Sequence, residues 1–217
     1  MTHSALTLEV RNLTFSYQRD SPVILDRWSE RFEPGTMTAI TGRSGRGKST
    51  LLYLLGLMLR PTSGELWVGS SNAEAMSDAE RSRMRAQLFG FIFQDAALDP
   101  TRTVLDNITE VLLYRGSSRP QARRRVVELL TQLEVDVPID RRPGQVSGGQ
   151  AQRIALCRAL LSEPAILLAD EPTGNLDSET SRIVIDAVRA HADSGGLAIV
   201  VTHSAEVAAQ CDREVRL

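Results

Sequence analysis

At 217 residues, 42% hydrophobic and 24% charged, the chain can bury one sizeable core and is too evenly mixed to be disordered or fibrous. A formal net charge of -2 leaves no overall electrostatic footprint for nucleic acid. Its two cysteines, Cys157 and Cys211, lie far apart in no metal or disulfide spacing, and read as reduced thiols, Cys157 as a buried small hydrophobe.

In chain order, residues 1–35 read as short strands and turns, with alternation over 6–10 and β-favouring residues over 14–17. Residues 37–41 predict a short buried strand running into a glycine loop, and 49–59, apolar on most faces, predict an internal helix. Residues 63–69 predict a strand between glycine turns, 77–87 a polar, arginine-rich helix, and 89–93 a buried strand. Across 95–144 the character changes: 106–114 and 120–133 have helical spacing with little β signal, which predicts a helical lobe inserted into an α/β core. Residues 150–161 predict a helix, 165–169 a central parallel strand, 178–191 an amphipathic helix and 197–201 a second central strand. The start, Met1-Thr2-His3-Ser4, has no charged-then-apolar targeting pattern, and the longest mostly apolar run, 51–59, is far short of a membrane span. The chain is therefore expected in the cytoplasm, reaching a membrane only through a partner.

Of the 25 basic residues, Lys48 alone is lysine. It stands in Gly42-Arg43-Ser44-Gly45-Arg46-Gly47-Lys48-Ser49, a phosphate-loop pattern set between a predicted strand and a predicted helix. Glycines there let backbone N–H groups approach phosphates, and the helix start adds a favourable dipole. A compact ammonium suits that loop better than a planar guanidinium, and the Ser49 hydroxyl suits Mg²⁺. A second constellation, Ile166-Leu167-Leu168-Ala169-Asp170-Glu171, puts two carboxylates at the carboxyl end of a buried strand, where open α/β sheets bind ligands. Asp170 is placed to hold the Mg²⁺ shell and Glu171 to polarise an attacking water. A third, Ser147-Gly148-Gly149-Gln150, opens a helix and reads either as a second anion site or as a simple N-cap.

Taken together and in this order, the motifs resemble an ABC-type nucleotide-binding domain over the whole chain. Gly42 to Thr50 resembles the Walker A loop, 166–171 Walker B with its adjacent glutamate, and Ser147-Gly148-Gly149-Gln150 the family signature. The resemblance implies that Gln94 is the Q-loop glutamine, a magnesium ligand and catalytic residue. It implies that Asp177, in Asn175-Leu176-Asp177, belongs to the D-loop, that His203 is the switch histidine, and that Tyr17 stacks on adenine. A narrower likeness covers Gly90-Phe91-Ile92-Phe93-Gln94, Thr103-Val104-Leu105-Asp106-Asn107, Leu112-Leu113-Tyr114-Arg115-Gly116 and Glu171-Pro172-Thr173-Gly174-Asn175-Leu176-Asp177. These resemble the bacterial group of lipoprotein-release, macrolide and peptide efflux, haem-export and cell-division ATPases. Two positions depart from that group: Arg46 where it has a small residue, and Asp99 where it has leucine.

The resemblance implies an α/β fold: a phosphate-loop core over 1–94 and 151–217, with an N-terminal antiparallel β part, and a helical subdomain over 95–150. It implies ATP and Mg²⁺ as cofactors, and ATP hydrolysis that drives a separate integral membrane permease of an exporter or efflux system. Two copies are expected to pair head to tail, because the signature loop cannot reach its own phosphate loop. The rival is an ABC ATPase that signals to a membrane partner in cell division without transport. Chromosome-organising, translation-factor and kinase readings lack, respectively, a long coiled-coil or zinc insertion, a second motif set, and any account of the signature and switch motifs. The permease-docking surface is expected over Gln94 to Tyr114, with Leu98, Asp99 and Arg102 exposed around Pro100.

Overall fold

A computed structural model of the chain describes residues 6–18, 21–43, 45–113 and 119–217, and two sheets carry its architecture. One is antiparallel: β1 (Leu8–Phe15), β2 (Leu25–Phe32), β4 (Ser63–Val68) and the two-residue β5 (Ser71–Asn72), in the order β2-β1-β4-β5. The other is parallel: β3 (Met37–Thr41), β6 (Phe89–Ile92), β7 (Ile166–Asp170), β8 (Leu197–Val201) and β9 (Arg213–Arg216), in the order β6-β7-β8-β3-β9.

Every residue of β7 and β8 is buried, as an apolar run covered on both faces requires. The two-residue side-chain period sorts them between two cores. Leu167, Ala169, Ala198 and Val200 join a core shared with α3 (Val104–Leu113), α4 (Arg119–Gln132), α5 (Gly148–Leu161) and α6 (Ser178–Asp193). Ile166, Leu168, Leu197, Ile199 and Val201 join one shared with α1 (Lys48–Leu55) and the antiparallel sheet. Between β6 and β7 the described residues form helices, one short 3-10 turn and loops, with no strand.

Local chemistry explains most boundaries. Ser77 and Glu80 form a reciprocal capping box at the start of α2 (Asp78–Leu88). The helix expected over 49–59 ends at Leu55, since past the Gly56 cap the chain turns left-handed at Leu57 with φ 60°; a side chain at Gly56 would come within 2.5 Å of the Phe91 ring. α5 starts two residues earlier than its apolar spacing indicates, at Gly148. The exposed edge strand β9 and the short α7 (Ala205–Ala209) carry too little apolar pattern to be predicted. Cys157 is fully buried, and burial pushes its thiol up to about 12.

The register aligns the strand ends. Ile40 and Asp170 both pair with Val201, and Ile92 pairs with Ala169. The chain therefore leaves β3, β6, β7 and β8 along one carboxyl edge, the place where open parallel sheets bind ligands.

Candidate active site

The loop after β3 turns on glycines with positive φ, 77° at Gly45 and 88° at Gly47. At Gly47 a side chain would also collide with Ile24. Glycine there lets the backbone make the tight turn into α1. Lys48 opens the helix and is only 8% exposed. Its ammonium bends back over the loop, donating to the carbonyls of Gly42 (2.9 Å) and Arg43 (3.3 Å). Arg43 and Arg46 are exposed, and their guanidiniums make no hydrogen bond or ion pair among the described residues. Ser44 lies outside the described residues.

The loop and the end of β7 meet directly: the Ser49 hydroxyl donates to Asp170 Oδ1 at 3.1 Å. Asp170 is 4% exposed. Burial lifts its carboxyl above the ordinary range and the Glu171 charge adds to this; hydrogen bonds from Ser49 and Tyr53 and the nearby Lys48 ammonium pull the other way. Tyr53, on the same helix as Ser49, is a site neighbour that sequence motifs do not mark. Burial, then Asp170, push its hydroxyl up.

Glu171 follows with φ 46°, a left-handed conformation unusual outside glycine, stabilised by its N–H donating to the Val201 carbonyl at 2.9 Å. Such strain collects at functional sites. This backbone turns the carboxylate toward the loop after β8. There Glu171 Oε2 lies 2.9 Å from His203 Nδ1 and accepts from the His203 N–H at 3.3 Å. Glu171 is 14% exposed and His203 69%.

Gln94 is exposed just past β6. It lines a hollow of about 200 Å³ with Glu171, Gly148, Gly174 and Asn175, so the β6 and β7 ends and the start of α5 share one space. Ser147 caps α5: its Oγ accepts from the Gln150 N–H (3.2 Å), and Gln150 Oε1 accepts from the Ser147 N–H (2.9 Å). A Cβ on Gly148 would point into open space, and one on Gly149 would touch Thr180 at 3.4 Å. Asp177 caps α6, accepting from Thr180 N–H (2.8 Å) and Oγ1 (2.9 Å), which hold its carboxyl below the usual range. Of the two alternatives for the serine, the structure shows the N-cap, with open space beside Gly148 at the helix start. Tyr17 is 59% exposed, its hydroxyl hydrogen-bonded to that of Thr50 at 3.0 Å and its ring edge-on to Phe15.

Of the three side chains expected to be exposed for docking, Leu98 needs correcting, whereas Asp99 and Arg102 keep 40% and 39% of their side chains exposed. Leu98 is half-buried against the helical core. Asp99 accepts from Thr101 N–H (2.8 Å) and Oγ1 (2.6 Å), pairs with Arg102 at 3.4 Å, and its N–H donates to Asn107 Oδ1. Arg102 also reaches Glu110 at 3.6 Å. These side chains build the turn into α3 while remaining partly exposed, and Ala97, Pro100 and Thr101 are exposed beside them. Tyr114 lies outside the described residues. A hollow of about 230 Å³ opens beside this turn, lined by Phe91, Phe93, Ala97, Glu110, Val111 and Arg158.

Comparison with known proteins supplies context. The family model described as ABC transporter matches residues 25–174. The chain is similar to the lipoprotein-releasing system ATP-binding protein LolD of Paramagnetospirillum magneticum, 37% identical over 100% of this chain and 96% of the relative. It is also similar to the LolD protein of Bordetella avium, 43% identical over 89% and 85%. The macrolide export ATP-binding/permease protein MacB of Burkholderia pseudomallei is 38% identical over the full chain, which spans 33% of that larger protein. Among solved structures, the dimeric ATP-binding cassette MJ0796 in a post-hydrolysis state with ADP and Pi superposes with a TM-score of 0.89 at 33% identity, covering 97% of this chain and 94% of that one.

Proposed function

This chain belongs to the ABC transporter family and is an ATPase of that family; on that premise we propose that it is the ATP-hydrolysing subunit of a bacterial export system, working as a head-to-tail homodimer on a separate membrane permease. The observation that carries the site assignment is the meeting of Lys48, Ser49, Asp170, Glu171 and His203 along one sheet edge, joined by the Ser49–Asp170 and Glu171–His203 contacts.

The roles follow from the groups present. The N–H groups of the loop and the Lys48 ammonium hold the phosphates, and Arg43 and Arg46 add exposed positive charge beside them. The Tyr17 ring offers a face for the base, tethered by its bond to Thr50. Ser49, Asp170 and Gln94 supply hard oxygen donors, which suit Mg²⁺ held by one carboxylate plus substrate phosphates. A buried carboxyl lifted above its usual range fits a site that receives a cation. Mg²⁺, when bound, neutralises developing phosphate charge. Glu171 accepts a proton from the attacking water, and His203, paired with Glu171 through Nδ1, would offer its other ring nitrogen to the terminal phosphate. Phosphoryl transfer asks mainly for such positioning and charge stabilisation.

Among the described residues Ser147 shares no hydrogen bond with the phosphate loop, and Gly148 faces open space, which supports completion of the site by Ser147 to Gln150 of a second copy. The dimeric form of the similar cassette supports the same reading. Among the described residues no helix is long and apolar enough to cross a membrane, which is consistent with a permease on another chain and a peripheral position at the membrane. Lipoprotein release and macrolide export in the relatives' names support an export direction. The permease would dock along 94–113, at the aromatic hollow beside the turn into α3.

The test is purification with membranes after crosslinking, followed by ATPase assay of the isolated chain and of the reconstituted complex. Mg²⁺-dependent ATP turnover, stimulated by a co-purifying membrane protein, is expected. Turnover with no membrane protein bound would overturn the transport reading and leave the ATPase standing.

A further inference from the structure

The crest of the phosphate loop carries a guanidinium that nothing around it engages. Arg46 stands between the left-handed glycines Gly45 and Gly47, in a turn closed by its own N–H on the Arg43 carbonyl at 3.3 Å. A Cβ on Gly45 would meet nothing within 4 Å, so the crest lies open. Arg46 is exposed there, and its side chain has no hydrogen-bond or ion-pair partner among the described residues. The converse stands beside the capped start of α5. A Cβ on Gly149 would touch Thr180 at 3.4 Å, so the first turn of α6 lies against that helix start. Asp177 and Glu179 are both exposed there. The Asp177 carboxylate is engaged by the N–H and hydroxyl of Thr180. The Glu179 carboxylate has no hydrogen-bond or ion-pair partner among the described residues.

We propose that Arg46 of one copy pairs with Glu179 of the other across the head-to-tail interface, twice in a C₂ dimer. The inference rests on the dimer reading given above. When Ser147 to Gln150 of a second copy closes on the phosphate loop, the first turn of its α6 arrives with it, because Thr180 already lies against Gly149. An exposed carboxylate then meets the exposed guanidinium on the open crest. Opposite charges on the two faces speed their encounter and fix how they meet. The pair forms only where a phosphate-loop face meets a signature face, so it selects the head-to-tail arrangement. Glu179 also favours its own helix, as a carboxylate in the first turn of α6. The two duties differ in what they move.

The Glu171→Gln protein at saturating Mg-ATP supplies the dimer, and analytical ultracentrifugation reads its dissociation constant. In that protein Arg46→Ser and Glu179→Gln should each weaken the dimer about tenfold, at roughly threefold for each of two exposed pairs. The double variant should be no weaker than either single, as for two groups that share one interaction. Added salt should weaken the dimer that keeps both charges more steeply than the double variant's dimer. Glu179→Arg, which sets like charges face to face, should weaken it further than Glu179→Gln. Additive losses in the double variant would overturn the pairing. So would a lower monomer melting temperature for Glu179→Gln with unchanged dimer affinity, the mark of a residue that serves only its own helix. A loss of ATP affinity in Arg46→Ser with no effect of Glu179→Gln would overturn it too, and leave Arg46 to the phosphates of its own loop. If Glu171→Gln forms no dimer at all with Mg-ATP, the dimer reading itself fails; additive losses within an intact dimer sink the pairing alone.

Discussion

Replacing Glu171 by glutamine removes one charge and almost nothing else. The amide oxygen can still accept from the His203 N–H, now 3.3 Å from Oε2, and the left-handed backbone at φ 46° is held by the Val201 carbonyl rather than by the side chain. What is lost is a carboxylate, 14% exposed, able to take a proton from water. A positioned general base contributes about 10²–10⁴-fold, so turnover should drop by that factor, about 2.7–5.4 kcal/mol at 1.36 kcal/mol per tenfold. ATP affinity should hold, because Lys48, the loop N–H groups and Tyr17 are untouched. The charge change has a second consequence: Glu171 is one of the groups lifting the Asp170 carboxyl, so that carboxyl should ionise more readily in the variant. With ATP bound and uncleaved, the two-copy state should accumulate. Steady-state phosphate release gives the rate, calorimetry the affinity, and size-exclusion chromatography with Mg-ATP the dimer. A Glu171→Gln variant that turns over within tenfold of wild type, or that loses ATP binding, would refute this account of the carboxylate.

Three other substitutions probe separate parts of the site. Lys48→Arg should bind ATP almost as poorly as Lys48→Ala, because the ammonium occupies a nearly buried bend between the Gly42 and Arg43 carbonyls that a planar fork cannot enter; calorimetry showing retained affinity would count against it. Tyr17→Ala should weaken ATP binding by about 1–3 kcal/mol while Tyr17→Phe and Tyr17→Trp keep most of it, and equal affinity in all three would make the ring a bystander. Burial raises the Asp170 carboxyl, so its ionisation costs stability at neutral pH, and that cost shrinks as pH falls through the raised folded value. Asp170→Asn, which keeps an acceptor for Ser49, should therefore raise the melting temperature of the nucleotide-free protein at pH 7, with a gain that fades toward acid pH, and should lose Mg²⁺-dependent turnover. Identical melting curves at pH 7 would remove the argument.

The phosphate loop, the Asp170–Glu171 pair and the strands β7 and β8 were legible because their chemistry or burial admits few residue types at fixed spacing. β9 was not, since a four-residue, mostly exposed edge strand, Arg213-Glu214-Val215-Arg216, leaves no apolar period to read. The end of α1 was hidden for another reason: past the Gly56 cap the chain turns left-handed at Leu57, and glycine at the cap is demanded by the Phe91 ring, a contact between segments far apart in the chain. Asp99 and Arg102 misled in the opposite way. A charged pair beside a proline reads as free surface, yet Thr101 and Glu110 engage those half-exposed charges, and Asn107 the Asp99 backbone, to build the turn into α3.

The harder case is a residue whose observed cap leaves room for a second role. Ser147 caps α5 in a reciprocal capping box with Gln150, and the Asp177 carboxylate caps α6 by accepting from the N–H and hydroxyl of Thr180. An N-cap side chain satisfies one orphan N–H and leaves the rest of the helix start turned outward, which is the arrangement an anion needs. The cap therefore holds the helix end in the form a phosphate would meet. A substitution that removes the serine hydroxyl disturbs both at once, at about 1 kcal/mol for the cap alone when alanine replaces it. Glu179 carries no such motif, because an acid in the first turn of a helix is ordinary and its proposed partner, Arg46, lies in a second copy. Sequence motifs mark side chains that must meet a ligand. The groups that bring two copies together meet only protein, and they become visible when exposed charges are set beside the faces that must close.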